Sequence, residues 1–550
     1  MPTRTIKTTP FTDQRPGTSG LLKKVGTFRQ TAYLENFVQS LFDVLRAQVP
    51  AGGDLGGQTL VLGSDGRFYS HIALQTILKM AAANGVGRIL VGREGLLSTP
   101  AASAIIRKYQ ALGGIILSAS HNPGGPHGDF GIKYNVSNGG PAPASWTDAI
   151  YERTKVITEF HCSTAPELDL TELGEFQMDA MQVKVINPVS DYVELMRSLF
   201  DFEAIRRLLS KDFKIVVDAM NAVGGPYAQA VLERELGAPA GSVIRAEPLP
   251  DFGGLHPDPN PMNAVDLVQW MNDSRGPDFG AALGGDADRN MILCRHMVVG
   301  PSDSLAILVE HARLIPAYRG GLVGVARSMP TSSAVDRVAD ALGIPCYETP
   351  TGWKYFCNLL DDQRITLCGE ESYGTGSNHI REKDGLWAVL FWLNIIAVTS
   401  KGVGNIVTQH WRTHGRTFFR RHDYEDLRPE VAGKLINDLR FFSQHIVGKK
   451  FGSRQLMEAG EFDYTDPVDG SVALEQGLRF VFDDGARVIF RLSGTSTEGS
   501  TLRVYLERCE KNPQRQSMSP DLLLAELLAW ADAVAGIRTR TGRKKATVIS

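Results

Sequence analysis

The chain has 550 residues, of which 43% are hydrophobic and 22% charged, and 58 basic against 61 acidic side chains leave a net charge of −3. That length fits roughly three to five domains, because single cores seldom grow beyond ~250 residues. The near-neutral balance excludes a bulk electrostatic pull toward nucleic acid or an anionic membrane.

Near the amino terminus, Pro16-Gly17-Thr18-Ser19-Gly20 with Lys23 and Lys24 reads as a flexible basic loop. Helical periodicity covers 35–47. A strand over 59–62 ends in the turn Gly63-Ser64-Asp65-Gly66-Arg67, a helix follows over 71–83, then a strand over 88–92 and a helix over 100–112. The next strand, Ile115-Ile116-Leu117, ends abruptly in Ser118-Ala119-Ser120-His121-Asn122-Pro123-Gly124-Gly125. An apolar run that stops at small polar residues and Asn-Pro delivers a serine onto a tight loop. Ser120 is therefore a candidate nucleophile, with His121 beside it and Lys133 a few residues on. The plain alternative is a strand-to-turn junction whose Ser and His cap backbone groups.

The strand–helix alternation restarts twice, at Lys214-Ile215-Val216-Val217-Asp218 and at Gly321-Leu322-Val323-Gly324-Val325. That repeat is the pattern of a layered α/β domain, with loops at the strands' carboxyl ends where ligands bind. After about residue 400 the texture changes. The segments 478–482 and 487–490 alternate around Asp483-Asp484-Gly485, a hairpin signal, and 522–534 is an amphipathic helix. The fold class expected is three similar α/β domains (1–187, 188–300, 301–402) and a C-terminal α+β domain (403–550) around a central cleft. The basic tail 538–545 reads as solvated.

The six cysteines, Cys162, Cys294, Cys346, Cys357, Cys368 and Cys509, form no CxxC pair and suit a reducing compartment. Residues 1–16 lack an apolar signal core. The longest apolar run, 386–399, falls short of the ~20 residues of a membrane span and reads as a buried helix. The expected protein is cytoplasmic, a monomer or weak homo-oligomer, with neither nucleic-acid nor membrane partners.

Four further loops carry chemistry. Gly285-Asp286-Ala287-Asp288-Arg289 follows an apolar strand, and carboxylates at i and i+2 can converge on one hard cation; the alternative is a solvated Asx turn. Pro350-Thr351-Gly352-Trp353-Lys354 and Gly369-Glu370-Glu371-Ser372 offer carboxylate, hydroxyl and backbone groups suited to a sugar, unless the glutamates are simply solvated. Arg491-Leu492-Ser493-Gly494-Thr495, with Arg503, combines an anion nest with two guanidinium groups. Serine, cation loop, sugar loop and phosphate nest jointly indicate metal-assisted phosphoryl transfer on a sugar phosphate.

On these residues the chain resembles the α-D-phosphohexomutase superfamily. The likeness runs from Gly17-Thr18-Ser19-Gly20 to Thr541-Gly542-Arg543, through Arg327-Ser328-Met329-Pro330-Thr331 and His379-Ile380-Arg381-Glu382-Lys383-Asp384-Gly385. It implies four domains around a deep cleft, the fourth mobile, and interconversion of glucose 1-phosphate and glucose 6-phosphate. By the resemblance Ser120 carries a phosphoryl group and glucose 1,6-bisphosphate is the intermediate. Asp286 and Asp288 would hold Mg²⁺ together with the Ser120 phosphate, and Arg289 would lie beside it. Thr351, Gly352, Glu370, Ser372 and His379 would serve the sugar; Arg491, Ser493, Gly494, Thr495 and Arg503 the distal phosphate. His121, Lys133 and Lys383 would line the reacting centre, with Lys383 the proton-transfer group, its pKa depressed by crowded cations. The family pattern has an aspartate where this chain has Gly284, a glycine at Ala287 and an arginine at Leu22. Those departures open a second reading, a weakly active relative that acts as a binding or scaffold protein.

Overall fold

The computed structural model describes residues 3–17, 19–49, 53–493 and 499–550. They fall into two compact units, one of Met1–Val299, His311–Gly321 and Ser372–Val403, the other of Gly300–Glu310, Leu322–Glu371 and Gly404–Ser550.

In the first unit a seven-stranded sheet runs in the order Leu21–Lys24, Asp129–Val136, Gly113–Leu117, Thr59–Ser64, Arg88–Leu96, Met181–Ile186, Gly174–Met178. Gly113–Leu117 is buried along its whole length, parallel to Thr59–Ser64 and antiparallel to Asp129–Val136. A central strand flanked on both sides reads as the unbroken apolar run seen in the sequence. Because the first two strands share a direction, the turn after Ser64 and the loop after Leu117 leave the same edge of the sheet. A second sheet orders Val243–Ile244, Ile215–Asp218, Phe279–Leu283, Asn290–Cys294 and Met297–Val299. Phe279–Leu283 and Asn290–Cys294 are antiparallel, with Leu283 opposite Asn290, so residues 284–289 are the loop of a hairpin.

The apolar run forms the helix Gly385–Thr399, buried from Gly385 through Ile396 and capped by Asp384, whose carboxylate accepts from Trp387 N–H. Among the described residues no single helix is long and apolar enough to cross a membrane. All six cysteines are free thiols.

In the second unit, Cys346–Thr349, Val325–Ser328 and Leu367–Glu370 are parallel neighbours. The C-terminal sheet is antiparallel, ordered Lys450–Phe451, Arg454–Glu461, Leu478–Phe482, Arg487–Ser493, Ser500–Glu510, Arg416–Leu427, Val548–Ile549. Helices Pro429–Ser443 and Pro520–Ala535 supply apolar residues to its core. The hairpin expected around Asp483-Asp484-Gly485 is present, with Gly485 at φ +77° as its turn requires. A buried ionic network ties the parallel strands to this sheet. Arg327 binds Asp336 and Glu348 (2.8 Å), Glu348 receives Arg479 (2.6 Å) and Arg487 (3.3 Å), and Arg487 also grips Glu507. This sheet and the parallel strands belong to one compact unit.

The basic tail is largely exposed, as expected, but it is also tied down. Residues Ile537–Thr541 form a short helix, Arg540 pairs with Asp438, Arg543 donates to the Glu425 carbonyl at 3.0 Å, and Val548–Ile549 joins the sheet. Carboxylates and an open sheet edge nearby gave these arginines and this strand partners that no local pattern reveals.

Candidate active site

Ser120 sits at φ +51°, the left-handed region that non-glycine residues enter at a cost of roughly 1–2 kcal/mol. Its backbone is pinned from both sides. Its N–H donates to Ser118 Oγ at 2.8 Å, and its carbonyl accepts from Arg67 Nη2 at 2.8 Å. Arg67 is fully buried, its Nε donating to both oxygens of Asp65, its Nη1 to the Asp129 carbonyl (2.9 Å). Ser118 Oγ donates to the same Asp65 at 2.7 Å. One buried ion pair from the neighbouring strand therefore fixes the serine loop. His121 Nδ1 lies 3.5 Å from Ser120 Oγ, the outer limit of a hydrogen bond.

The hairpin loop after Leu283 packs against that serine. A Cβ on Gly285 would stand 2.6 Å from the Ser120 carbonyl oxygen, so only glycine permits the approach. Asp286 and Asp288 are buried, and one oxygen of each, Oδ1, has no hydrogen-bond partner. An orphaned buried carboxylate oxygen is costly, and two on one loop form an oxygen-only donor set that fits a hard divalent cation. The remaining oxygens are engaged. Asp286 Oδ2 accepts from Thr99 Oγ1 at 2.7 Å and faces Lys133 Nζ at 3.6 Å; Asp288 Oδ2 faces Lys383 Nζ at 3.3 Å. Burial alone would raise both carboxyls. For Asp286 the nearby Lys133 ammonium and Thr99 outweigh it and the pKa falls, whereas for Asp288 the Asp286 charge adds to burial and the pKa rises. Arg289 binds Asp258 at 3.1 Å and reaches Asp288 at 3.8 Å.

Lys133 lies opposite Ile116 of the serine strand and faces Glu382 at 3.8 Å as well as Asp286. Burial would lower its pKa, but Glu382, Asp286 and Asp288 reverse that and hold it above the ordinary value. Glu382 is itself positioned by Asn135, which donates at 2.8 Å. Gly374 makes room for the Lys383 stem, since a Cβ there would lie 2.3 Å from Lys383 Cδ. Lys383 has the Asp288 carboxylate beside it, and the Lys133 ammonium is a second cation close by.

His379 is placed differently from expectation. Its side chain is 1% exposed, with Nδ1 on Ser377 Oγ (2.7 Å), Nε2 on Asp384 (3.1 Å) and its ring stacked on Trp387. Both ring nitrogens are committed to the protein interior, which leaves it none for a sugar. Ser372, in the same unit, is half-buried.

The second unit holds the other candidates. Glu370 ends its strand and accepts from the Gly352 N–H at 3.3 Å; Gly352, at φ +136°, begins the helix Trp353–Asp361, and Thr351 Oγ1 is buried without a hydrogen-bond partner. Neither adjacent glutamate is solvated. Glu371 is a buried hub for Ser328 (3.0 Å) and Tyr505 (3.2 Å), and Glu370 is 4% exposed. Arg491 and Arg503 are paired residues on adjacent antiparallel strands, with Ser493 two positions beyond Arg491. Like charges directly opposite each other destabilise a ladder, so this pair marks a place for an anion. Asp423, opposite Arg503 on the next strand, meets its Nε at 3.6 Å. Gly494 and Thr495 lie outside the described residues.

Sequence reasoning passed over Arg67 and Asp65, which stand in a turn noted only for its glycines, as well as Thr99, Asn135 and Glu382. An arginine two residues after an aspartate at a strand's carboxyl end was the available signal for the first pair.

Models of phosphoglucomutase/phosphomannomutase α/β/α domains I, II and III match residues 13–161, 190–298 and 301–414, and that of the phosphoglucomutase-1 C-terminal domain matches 416–547. The chain is 55% identical to a phosphoglucomutase of Rhizobium radiobacter over 547 residues, covering all of both chains. It is 50% identical to phosphoglucomutase-1 of Homo sapiens, covering 99% of each. A solved open-form structure of the exocytosis-sensitive phosphoprotein pp63/parafusin, a phosphoglucomutase from Paramecium, superposes with a TM-score of 0.91 at 45% identity, covering 100% of this chain and 99% of that one. With four domain matches in order and full-length relatives at such identity, the chain belongs to the phosphoglucomutase family.

Proposed function

We propose that this enzyme interconverts glucose 1-phosphate and glucose 6-phosphate by phosphoryl transfer from a phosphoserine at Ser120, through glucose 1,6-bisphosphate. The observation that carries the reading is the strained Ser120 backbone, clamped by Arg67 and backed by a loop with two buried, unsatisfied carboxylate oxygens. In the first half-reaction the Ser120 O–P bond breaks as a bond forms from phosphorus to a sugar hydroxyl, whose proton passes to Lys383 in its neutral amine form. In the second, the other sugar O–P bond of the bisphosphate breaks as phosphorus bonds to the Ser120 oxygen, and Lys383 returns the proton to the released sugar oxygen. Phosphoglucomutase family membership goes with metal dependence. We assign Mg²⁺ to Asp286 and Asp288, where it would offset charge on the transferring group. Lys133, held charged by its carboxylate neighbours, serves as a fixed cation rather than a base. Arg289 lies alongside, and His121 is within reach of the Ser120 oxygen. Thr351, Gly352, Glu370 and Ser372 receive the sugar; Arg491, Ser493, Arg503 and the Gly494-Thr495 backbone hold the distal phosphate. Intact-mass measurement of purified protein tests the central step. One phosphate on wild type, lost on incubation with glucose 6-phosphate and absent from Ser120→Ala, is expected; an unmodified wild type with full turnover would refute it.

A further inference from the structure

Outside this chemistry, the second unit contains a cluster of metal-ligand side chains. His410 and His414 stand one turn apart on the helix Val403–His414, so their rings share a face. Glu310, the last residue of Pro301–Glu310, bridges them, with Oε2 2.5 Å from His410 Nδ1 and Oε1 3.6 Å from His414 Nε2. The three donor atoms lie within 4.8 Å of one another. The His410 side chain is 1% exposed, while His414 at 11% and Glu310 at 22% leave an approach from solvent.

We propose that Glu310, His410 and His414 form a second cation site, for a zinc-type transition-metal dication. Two imidazoles and a carboxylate are the donor set such ions favour, with one coordination position left for water. The oxygen-only pair Asp286 and Asp288 suits a hard cation instead. Donors at ~2.0–2.1 Å from a tetrahedral ion stand roughly 3.4 Å apart. The 3.6 Å from His414 Nε2 to Glu310 Oε1 already matches, and the metal displaces the proton that now bridges Glu310 Oε2 and His410 Nδ1, so that one carboxylate oxygen can serve both. The opposing charge is Arg337, but its guanidinium is engaged by the His414 carbonyl (2.9 Å), Ser333 and Thr417. Asp303, held by Trp411 Nε1 at 2.9 Å, is a further carboxyl group beside His410. Loading the site would clip the two helices together.

The test uses full-length enzyme saturated with Mg²⁺ and titrated with Co²⁺ as the probe. Expected are visible ligand-field bands and imidazole-nitrogen couplings in pulsed EPR. His414→Ala and Glu310→Gln should each weaken that binding at least ~10-fold, since even an outer-sphere partner is worth that much, and leave the mutase rate unchanged. Zn²⁺ should raise the melting temperature of wild type and not of the variants. If Glu310→Gln does not fold, His414→Ala, at the accessible edge, carries the test. Absence of a nitrogen-coupled signal in wild type, or its persistence undiminished in His414→Ala, overturns the proposal.

Discussion

The loops around Ser120 and the arginine ladder of the C-terminal sheet are both charged, but their balances are opposite. Near Ser120, Asp258, Asp286, Asp288 and Glu382 face Lys133, Lys383 and Arg289, and two carboxylate oxygens are left over. On the sheet, Arg491 and Arg503 stand side by side, and Asp423 is shared between Arg503 and Arg421. On the proposed function, carboxylate excess would prepare the first region for a cation and a reacting phosphate, and cationic excess would prepare the second to hold a phosphate that does not react. On that reading the two charge patterns separate chemistry from grip.

The largest effect should come from Ser120→Ala, which removes the proposed acceptor of the phosphoryl group. Turnover in a coupled assay with added glucose 1,6-bisphosphate should fall below detection, while calorimetric binding of glucose 6-phosphate stays within about threefold. Binding lost together with turnover would erase the division.

Next is Arg503→Ala. A charge-assisted hydrogen bond is worth ~1.5–3 kcal/mol, so KM for both monophosphates should rise roughly 10–100-fold with kcat changed far less. An effect confined to one isomer would mean that the ladder does not hold the distal phosphate in both half-reactions.

Gly284→Asp sharpens the other side by adding a carboxylate to the cation loop. Gly284 is not in the left-handed region, and a Cβ there meets Arg289 Cβ at 3.4 Å and Asp288 Oδ1 at 3.7 Å, ordinary contacts. The side chain would begin beside the Asp288 carboxylate without backbone strain. The Mg²⁺ concentration for half-maximal rate should fall by at least ~10-fold; a folded variant with an unchanged Mg²⁺ titration would show a loop built for two carboxylates.

Ala287→Gly should do least. Ala287 holds φ +65°, which costs an alanine ~1 kcal/mol, yet its buried methyl returns ~0.8 kcal/mol. The terms nearly cancel, so thermal melting should move by no more than about a degree. A larger shift in either direction would show which term dominates this departure from the family pattern.

Local pattern carried the elements well: helices expected over 35–47 and 71–83 are observed at Tyr33–Gln48 and Ser70–Ala83, and the serine lies where an apolar run breaks. It carried the site only where its groups are neighbours in sequence, as with Asp286 and Asp288. Thr99 meets Asp286 across 187 residues and Asn135 meets Glu382 across 247, and such pairings exist only after folding. His379 misled for the opposite reason. It stands four residues from Lys383 in a polar run, but its ring turns inward to Asp384 and Trp387, which sequence proximity does not distinguish from turning outward.

Gly285 contributes no functional group, yet any side chain there would collide with the Ser120 carbonyl. The spacing between nucleophile loop and cation loop is therefore set by an absence of atoms. In a saturation-mutagenesis map this position should be as intolerant as the serine itself, and even the smallest replacement, alanine, should fail. Chemical rescue with added metal or bisphosphate would not help, because what is lost is distance rather than a reagent.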